Sequence, residues 1–504
     1  MEGRLRARGV RVAALPAVLL FTVVSHAVLA TVFVPVHSDL NVYERYAASV
    51  ARGIQDGTSF SVARDEVIRD DARRNGLPEP TSDAFLVEYP PLAVIWMATA
   101  GIGLEFDARL GPRTDRYDDR YRLAMFALDL LLIFVLVKWA APGLVTLSGG
   151  ARQRAWRLAV YSVASLILGN LLFDRLDLVV GTLLLPSILL LVRGSWRASF
   201  LLLAVAINFK ASPLALAPLW VVASLPPYPF AQARTRTGAL VKAMAVRALT
   251  LAGMAIVVFL PFLIIEGSRA LDFLRFRAVQ GVQIESVPAS ILLVLHAFGL
   301  PLQVSFTLGT FELQTPLSPV MAAASPVLML VAVAMAAALY ARTTTTRCGR
   351  LARTDRPVPT VPTVPTVPTV PTVPDGSLAT SDPPLFLAAT VATLLLTLVT
   401  SKLLSPQYLI WLLPLVPLLD IGTARTRGFQ LWFLFTCTVT TAIFPYLLGR
   451  TLARHDPASG GYLDPTPLGV GLVLLRNALL IWLAWLALRP LLQPTSEDGT
   501  TRPD

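Results

Sequence analysis

Hydrophobic and polar positions in this chain fall into long blocks. No charged residue interrupts positions 12–36, and about 20 apolar residues suffice for a helix to cross ~30 Å of hydrocarbon. The basic segment before that run resembles the start of a signal peptide. The run is too long for one, however, and no small-residue cleavage pattern follows, so it predicts a retained first span. Similar blocks predict helical spans at 123–141, 158–172, 178–192, 198–209, 213–225, 248–265, 319–341, 385–400, 408–419, 429–448 and 468–488. With the first block these make about twelve, and both termini lie on one side. The apolar stretch 88–104 is kept out of the set. Counting it as a span would place the arginines of 151–157 outside the membrane, so it predicts a helix lying on the outer surface. The fold class is therefore all-α, a polytopic integral membrane protein with a large extracytoplasmic first loop at 37–122.

Composition agrees with that pattern. The 504 residues are 55% hydrophobic and 15% charged, with mean hydropathy +0.63, outside the range of an ordinary soluble domain. The net charge of +11 is unevenly placed. Segments on the side of the termini carry 23 Lys and Arg against 8 Asp and Glu, and the opposite side carries 20 against 24. Positive residues stay inside, so both termini are expected in the cytoplasm of a multi-pass cell-membrane protein. The basic excess then faces an anionic leaflet and needs no nucleic-acid partner.

Four units follow. Residues 1–341 form an N-terminal membrane bundle that includes the catalytic loop 37–122. Residues 342–384 form a cytoplasmic linker containing "VPTVPTVPTVPTVPTVP", where Pro at every third position favours polyproline II. Residues 385–490 make a C-terminal membrane bundle, and 491–504 a cytoplasmic tail.

The candidate chemistry lies at the outer face. The four histidines are scattered, Cys348 and Cys437 are ill placed to pair, and no phosphate-binding glycine loop is present. Nucleotide sugars are absent outside the cell, so an enzyme there must draw an activated substrate from a lipid carrier. The first span opens into "HSDLNVYERYA", which offers Asp39 and Tyr43. In "INFKASPLALAPL" the block 198–209 is only about 18 Å long as helix. Lys210 should therefore sit below the outer interface, where an ammonium needs a wet cavity or an anion. Other outer polar groups stand at span ends: Asp174 and Asp177 in "FDRLD", Arg275, Arg277 and Glu285 in "RFRAVQGVQIESVPAS", and Lys402 and Gln407 in "SKLLSPQY". Asp129 and Arg476 fall inside spans and are expected as paired structural charges.

Taken in order, "SDLNVYERYA", "EYPPLAVIW", "FKASPLALAP", "ESVPAS" and "SPQYLIWLLPL" resemble the GT-C superfamily of polytopic glycosyltransferases. Within it the chain is most similar to glycosyltransferase family 87, the polyprenol-phosphate-mannose-dependent mannosyltransferases. The resemblance covers most of the chain outside the linker and tail. It implies a polyprenyl-phosphate sugar donor, a glycolipid or glycan acceptor and an acid of the first outer loop as catalyst, which by position is Asp39. Tyr43, Glu88, Tyr89, Lys210, Arg275, Arg277, Glu285, Lys402 and Gln407 are then candidates for binding substrate or donor phosphate, with Asp174 and Asp177 as secondary acids. The insert at 56–84 and the Val-Pro-Thr linker depart from the family and leave the acceptor open.

The chemistry is coherent on its own terms. A sugar phosphate already has a good leaving group, so one base for the acceptor hydroxyl suffices, while cations must receive the phosphate. Asp39 beside Tyr43 could also hold a divalent cation, although hard-cation sites usually gather more carboxylates. The competing function is a multi-span transporter or flippase for a lipid-linked sugar. It would favour two related halves and charges near the midplane, whereas the outer loop has no counterpart in the second half. A non-catalytic scaffold would leave Lys210 without a purpose.

Overall fold

The computed structural model describes residues 2–32, 39–104 (apart from 75, 77, 79 and 81), 115–140, 151–226, 237–354 and 378–493. The chain is predominantly helical. Among the described residues, five helical segments are long and apolar enough to cross a membrane: Gly238–Val279, Ser318–Arg347, Pro383–Thr400, Ala424–Leu452 and Pro467–Leu492. Shorter apolar helices include Leu15–Thr31, Asp177–Val192 and Trp196–Phe209.

The first of the long segments shows why the surroundings must be apolar. Helix α10 (Thr237–Glu266) is hydrophobic on every side, yet Leu249, Ile256, Val257, Ile264 and Ile265 are all exposed. A helix that is apolar all round is stable only when something apolar covers it, and here that cover is the lipid bilayer. Helix α14 (Pro383–Thr400) is equally apolar but runs through the middle of the protein. It packs on α13 (Ser318–Thr354) and α16 (Pro467–Leu492), with Leu387, Ala388, Ala389 and Val391 fully buried.

The large first loop is itself helical. Helix α2 (Leu40–Asp56) buries Leu40, Tyr43, Tyr46 and Ala47. Its partner α4 (Pro91–Thr99) buries Ala93, Val94 and Met97. At 9 residues, α4 is about 13 Å long, too short to cross a bilayer. Helix α3 (Phe60–Arg74) carries the acidic-basic insert. Glu266 receives hydrogen bonds from the Phe60 N–H (2.9 Å) and the Ser61 N–H (3.2 Å) at its start. Arg269 pairs with Asp65 at 2.8 Å. The insert is thereby fastened to the end of α10.

The structure departs from the sequence reading in several places. The block 408–419 is not α-helix: Pro406–Trp411 and Val416–Leu418 are 3-10 turns, because Pro406, Pro414 and Pro417 withhold the N–H groups a longer helix needs. Residues 287–297, read as outer loop, form helix α12 (Val287–Ala297), started by Ser286, whose hydroxyl accepts from the Ala289 N–H at 3.1 Å. Strands stand where none was expected: β1 (Val282–Gln283), β2 (Gln303–Thr307) and β3 (Thr310–Gln314) are antiparallel in the order β1-β3-β2 with Val304 opposite Leu313, and β4 (Arg454–His455) pairs with β5 (Tyr462–Leu463). Helix α13 continues past residue 341 to Thr354. Thr344, Thr345 and Thr346 return their hydroxyls to the carbonyls of Tyr340, Ala341 and Arg342, and no proline intervenes before Pro357. The Val-Pro-Thr run itself lies outside the described residues.

Candidate active site

Three pieces of chain converge at one end of the bundle. Helix α8 (Trp196–Phe209) stops because Lys210 adopts an extended conformation (φ −153, ψ 132) ahead of Pro213. Helix α7 (Asp177–Val192), its antiparallel neighbour, begins at that level with Asp177. The turn 406–411 lies against α7 at Gly181, where a Cβ would come 3.3 Å from the Ile410 carbonyl oxygen. Together they place the Lys210 ammonium 2.7 Å from an Asp177 carboxylate oxygen, with the rings of Tyr408 and Trp411 at 4.6 and 5.3 Å. Lys210 is thus buried and satisfied by an anion and two aromatic faces, as its depth requires.

Beside this pair lies a cleft of about 610 Å³, open on one side. Glu88, Tyr89, Lys210, Arg277, Tyr408 and Trp411 give it its chemistry, and Phe273, Leu398 and Leu403 add apolar wall. Arg277 stands 3.5 Å from Glu88 and donates to the Gln280 side chain at 3.0 Å. Tyr43 stands behind Tyr89: its hydroxyl accepts from the Leu176 N–H at 3.4 Å, and its ring meets Tyr89 edge-on at 5.7 Å. The Tyr46 hydroxyl holds the Glu88 N–H at 3.0 Å. Burial pushes the Tyr43 and Tyr89 phenols above their usual range, so both stay protonated and serve as donors rather than bases.

Asp39 is not on the cleft wall. It precedes α2 and forms an ion pair with Arg175, a buried guanidinium whose Nε has no hydrogen-bond partner among the described residues. Burial pulls Arg175 down to about 10, while nearby Asp177 opposes that shift. Arg175 therefore links Asp39 to the Asp177–Lys210 pair. Sequence reasoning named both acids of "FDRLD" and passed over the arginine between them. A cation flanked by Asp174 and Asp177 was the available signal.

The other candidates lie elsewhere. Asp174 is locked to Arg122 by two hydrogen bonds of 2.7 and 3.1 Å. Arg275 is exposed. Lys402 gives its ammonium to the carbonyls of Ala278 and Gln280 at the end of α11 (Asp272–Val279), while its neighbours Ser401 and Leu403 face the cleft. Gln407 accepts from the Ser405 hydroxyl at 2.5 Å. Glu285 sits in a second buried cluster, 3.7 Å from Arg476. Asp129 meets His26 at 2.7 Å and also the Tyr161 hydroxyl. The expected structural pairing of Asp129 and Arg476 thus has named partners.

No protein-family model matches this chain, and no curated protein matches it.

The acids also bear on metal binding. Asp39, Glu88 and Asp177 each face a basic side chain, and among the described residues no three His, Cys, Asp or Glu side chains gather. This donor set does not fit a divalent cation, which prefers several carboxylate or carbonyl oxygens around one point. What the arrangement can do is receive an anion between Lys210 and Arg277, with Glu88 on the same wall.

Proposed function

We propose that this chain is a membrane hexosyltransferase, with about twelve spans and both termini cytoplasmic. In this reading it moves a hexosyl group, mannosyl by the family resemblance, from a polyprenyl-phosphate donor to a cell-envelope glycolipid or glycan at the outer face of the cell membrane. The observation that supports this best is the cleft that joins Lys210 and Arg277 to the acids and aromatic rings around it. A phosphate diester bound there meets charge-assisted donors, and Phe273, Leu398 and Leu403 offer its chain an apolar exit toward the lipid-facing helix α10.

The reaction then runs as a single displacement. Asp39 takes the proton of the acceptor hydroxyl, and the acceptor oxygen bonds to the anomeric carbon. The bond from that carbon to phosphate oxygen breaks with its electron pair, and polyprenyl phosphate departs against Lys210 and Arg277. In this structure Arg175 pairs with Asp39, so Asp39 must leave that pair to act as the base.

The test is transfer from a short-chain polyprenyl-phosphate mannose in membranes, with donor affinity measured separately. Asp39→Asn should lower turnover by about 10²–10⁴-fold with donor binding largely kept. Lys210→Met should weaken donor binding as well, because the phosphate is charged in both ground and transition states. A wild-type protein that transfers no hexose from any polyprenyl phosphate would overturn the assignment.

A further inference from the structure

A second groove lies far from the cleft in sequence. It runs between α15 (Thr423–Thr441) and α16, spans about 520 Å³ including its open side, and is walled by Phe429, Trp432, Trp482 and Leu486. Arg425 and Arg489 close one end. The first lies in the opening turn of α15 and the second in the last turn of α16, so the helices run antiparallel and both guanidiniums share one level. Each tryptophan is seven residues further into its helix, roughly 10 Å deeper. Both helices belong to segments with the length and composition to cross a bilayer.

Neither arginine has a carboxylate partner among the described residues. Arg425 reaches only the Gln493 side-chain oxygen, at 3.4 Å. A lone arginine at a helix end stretches to the headgroups. Two from different helices, aimed at one groove with an otherwise apolar wall, instead leave a paired positive charge above an acyl-sized slot. Gly428 lines that slot, and a Cβ there would enter open space, so a larger side chain at 428 would project into the slot.

We propose that this groove is a binding site for an anionic glycerophospholipid of the leaflet at that end, the cytoplasmic one by the charge distribution. The phosphodiester lies between Arg425 and Arg489, whose planar forks match phosphate oxygens. An acyl chain runs inward along Trp432, Trp482 and Leu486. The site is independent of the transferase reading.

The experiment uses the purified full-length protein in detergent with added phosphatidylglycerol, or phosphatidylcholine with the same acyl chains. Retained lipid is counted by native mass spectrometry, and stability is followed by thermal unfolding. Phosphatidylglycerol should be retained preferentially and should raise Tm. Arg425→Gln with Arg489→Gln should cut its retention by about tenfold or more, since each basic residue near a charged headgroup contributes severalfold. Gly428→Leu should displace the lipid with both arginines in place, a steric loss that charge alone does not explain. Equal retention of the two lipids, unchanged retention by the double variant, or the same Tm shift from inorganic phosphate would each overturn the proposal.

Discussion

Lys210 and Asp177 meet at 2.7 Å across two adjacent antiparallel helices, one side chain following the end of α8 and the other opening α7. Each charge lies at the helix terminus that favours it, the acid at an N-terminus and the ammonium at a C-terminus. The pair is buried, with side-chain exposures of 11% and 2%, so removing one member strands the other. Asp177→Asn should cost about 3 kcal/mol of stability, read as a lowered unfolding midpoint in detergent. Adding Lys210→Met should recover most of that loss. If the double variant is no better than the single, the pair is not what holds this junction.

The acids divide by their partners. Asp174 is held twice by Arg122, so Asp174→Asn should lower stability and leave transfer per folded molecule within about twofold. Asp39→Asn should show the 10²–10⁴-fold loss of transfer of a missing base, beyond any stability lost by stranding the buried Arg175. Glu88→Gln is the informative third variant, because Glu88 is the acid on the cleft wall. An Asp39→Asn protein that turns over normally beside an inactive Glu88→Gln would move the base to Glu88.

Glu285 predicts a pH dependence of stability. Burial raises its carboxyl to about 7, against the partial pull of Arg476. The folded protein therefore holds a proton that the unfolded chain releases near pH 4.5, and stability falls as pH rises from about 4.5 to about 7. The drop is on the order of 3 kcal/mol. Unfolding at pH 5 and pH 8 should show it in the wild type. Glu285→Gln, which mimics the protonated form, should lack this component and be relatively more stable at pH 8.

Orientation can be checked with reporters. One fused after Pro80 should report the outer side, and one within residues 357–374 the cytoplasm. The same side for both would reverse the charge-based assignment and remove the outer-face argument for Asp39.

The Val-Pro-Thr run should tolerate shortening. Deleting two of its units should leave insertion and transfer nearly unchanged, because extended connections bear length changes at small free-energy cost. Loss of transfer with normal insertion would show that the run sets the geometry of the two bundles.

The sequence by itself determined the helical membrane character. Apolar blocks of spanning length leave a chain few alternatives in lipid, since only closed hydrogen-bonding patterns survive there. It also predicted that Lys210 would need a wet cavity or an anion, because a 12-residue block cannot carry an ammonium across the hydrocarbon; which of the two, the sequence left open. Its apolar block 408–419 predicted a helical span, and the segment instead forms 3-10 turns, as tertiary packing against Gly181 and α7 decides what short proline-broken segments become. The identity of partners lay wholly in the tertiary structure. Lys210 with Asp177, Asp39 with Arg175, Asp174 with Arg122 and Glu285 with Arg476 pair residues from different elements, most of them far apart in sequence. A charge at a span end looks the same in sequence whether it lines a cleft or locks two helices together. Only packing separates Arg277 on the cleft wall from exposed Arg275, two positions away on the same helix, because a side chain's direction on a helix matters only once its neighbours are in place.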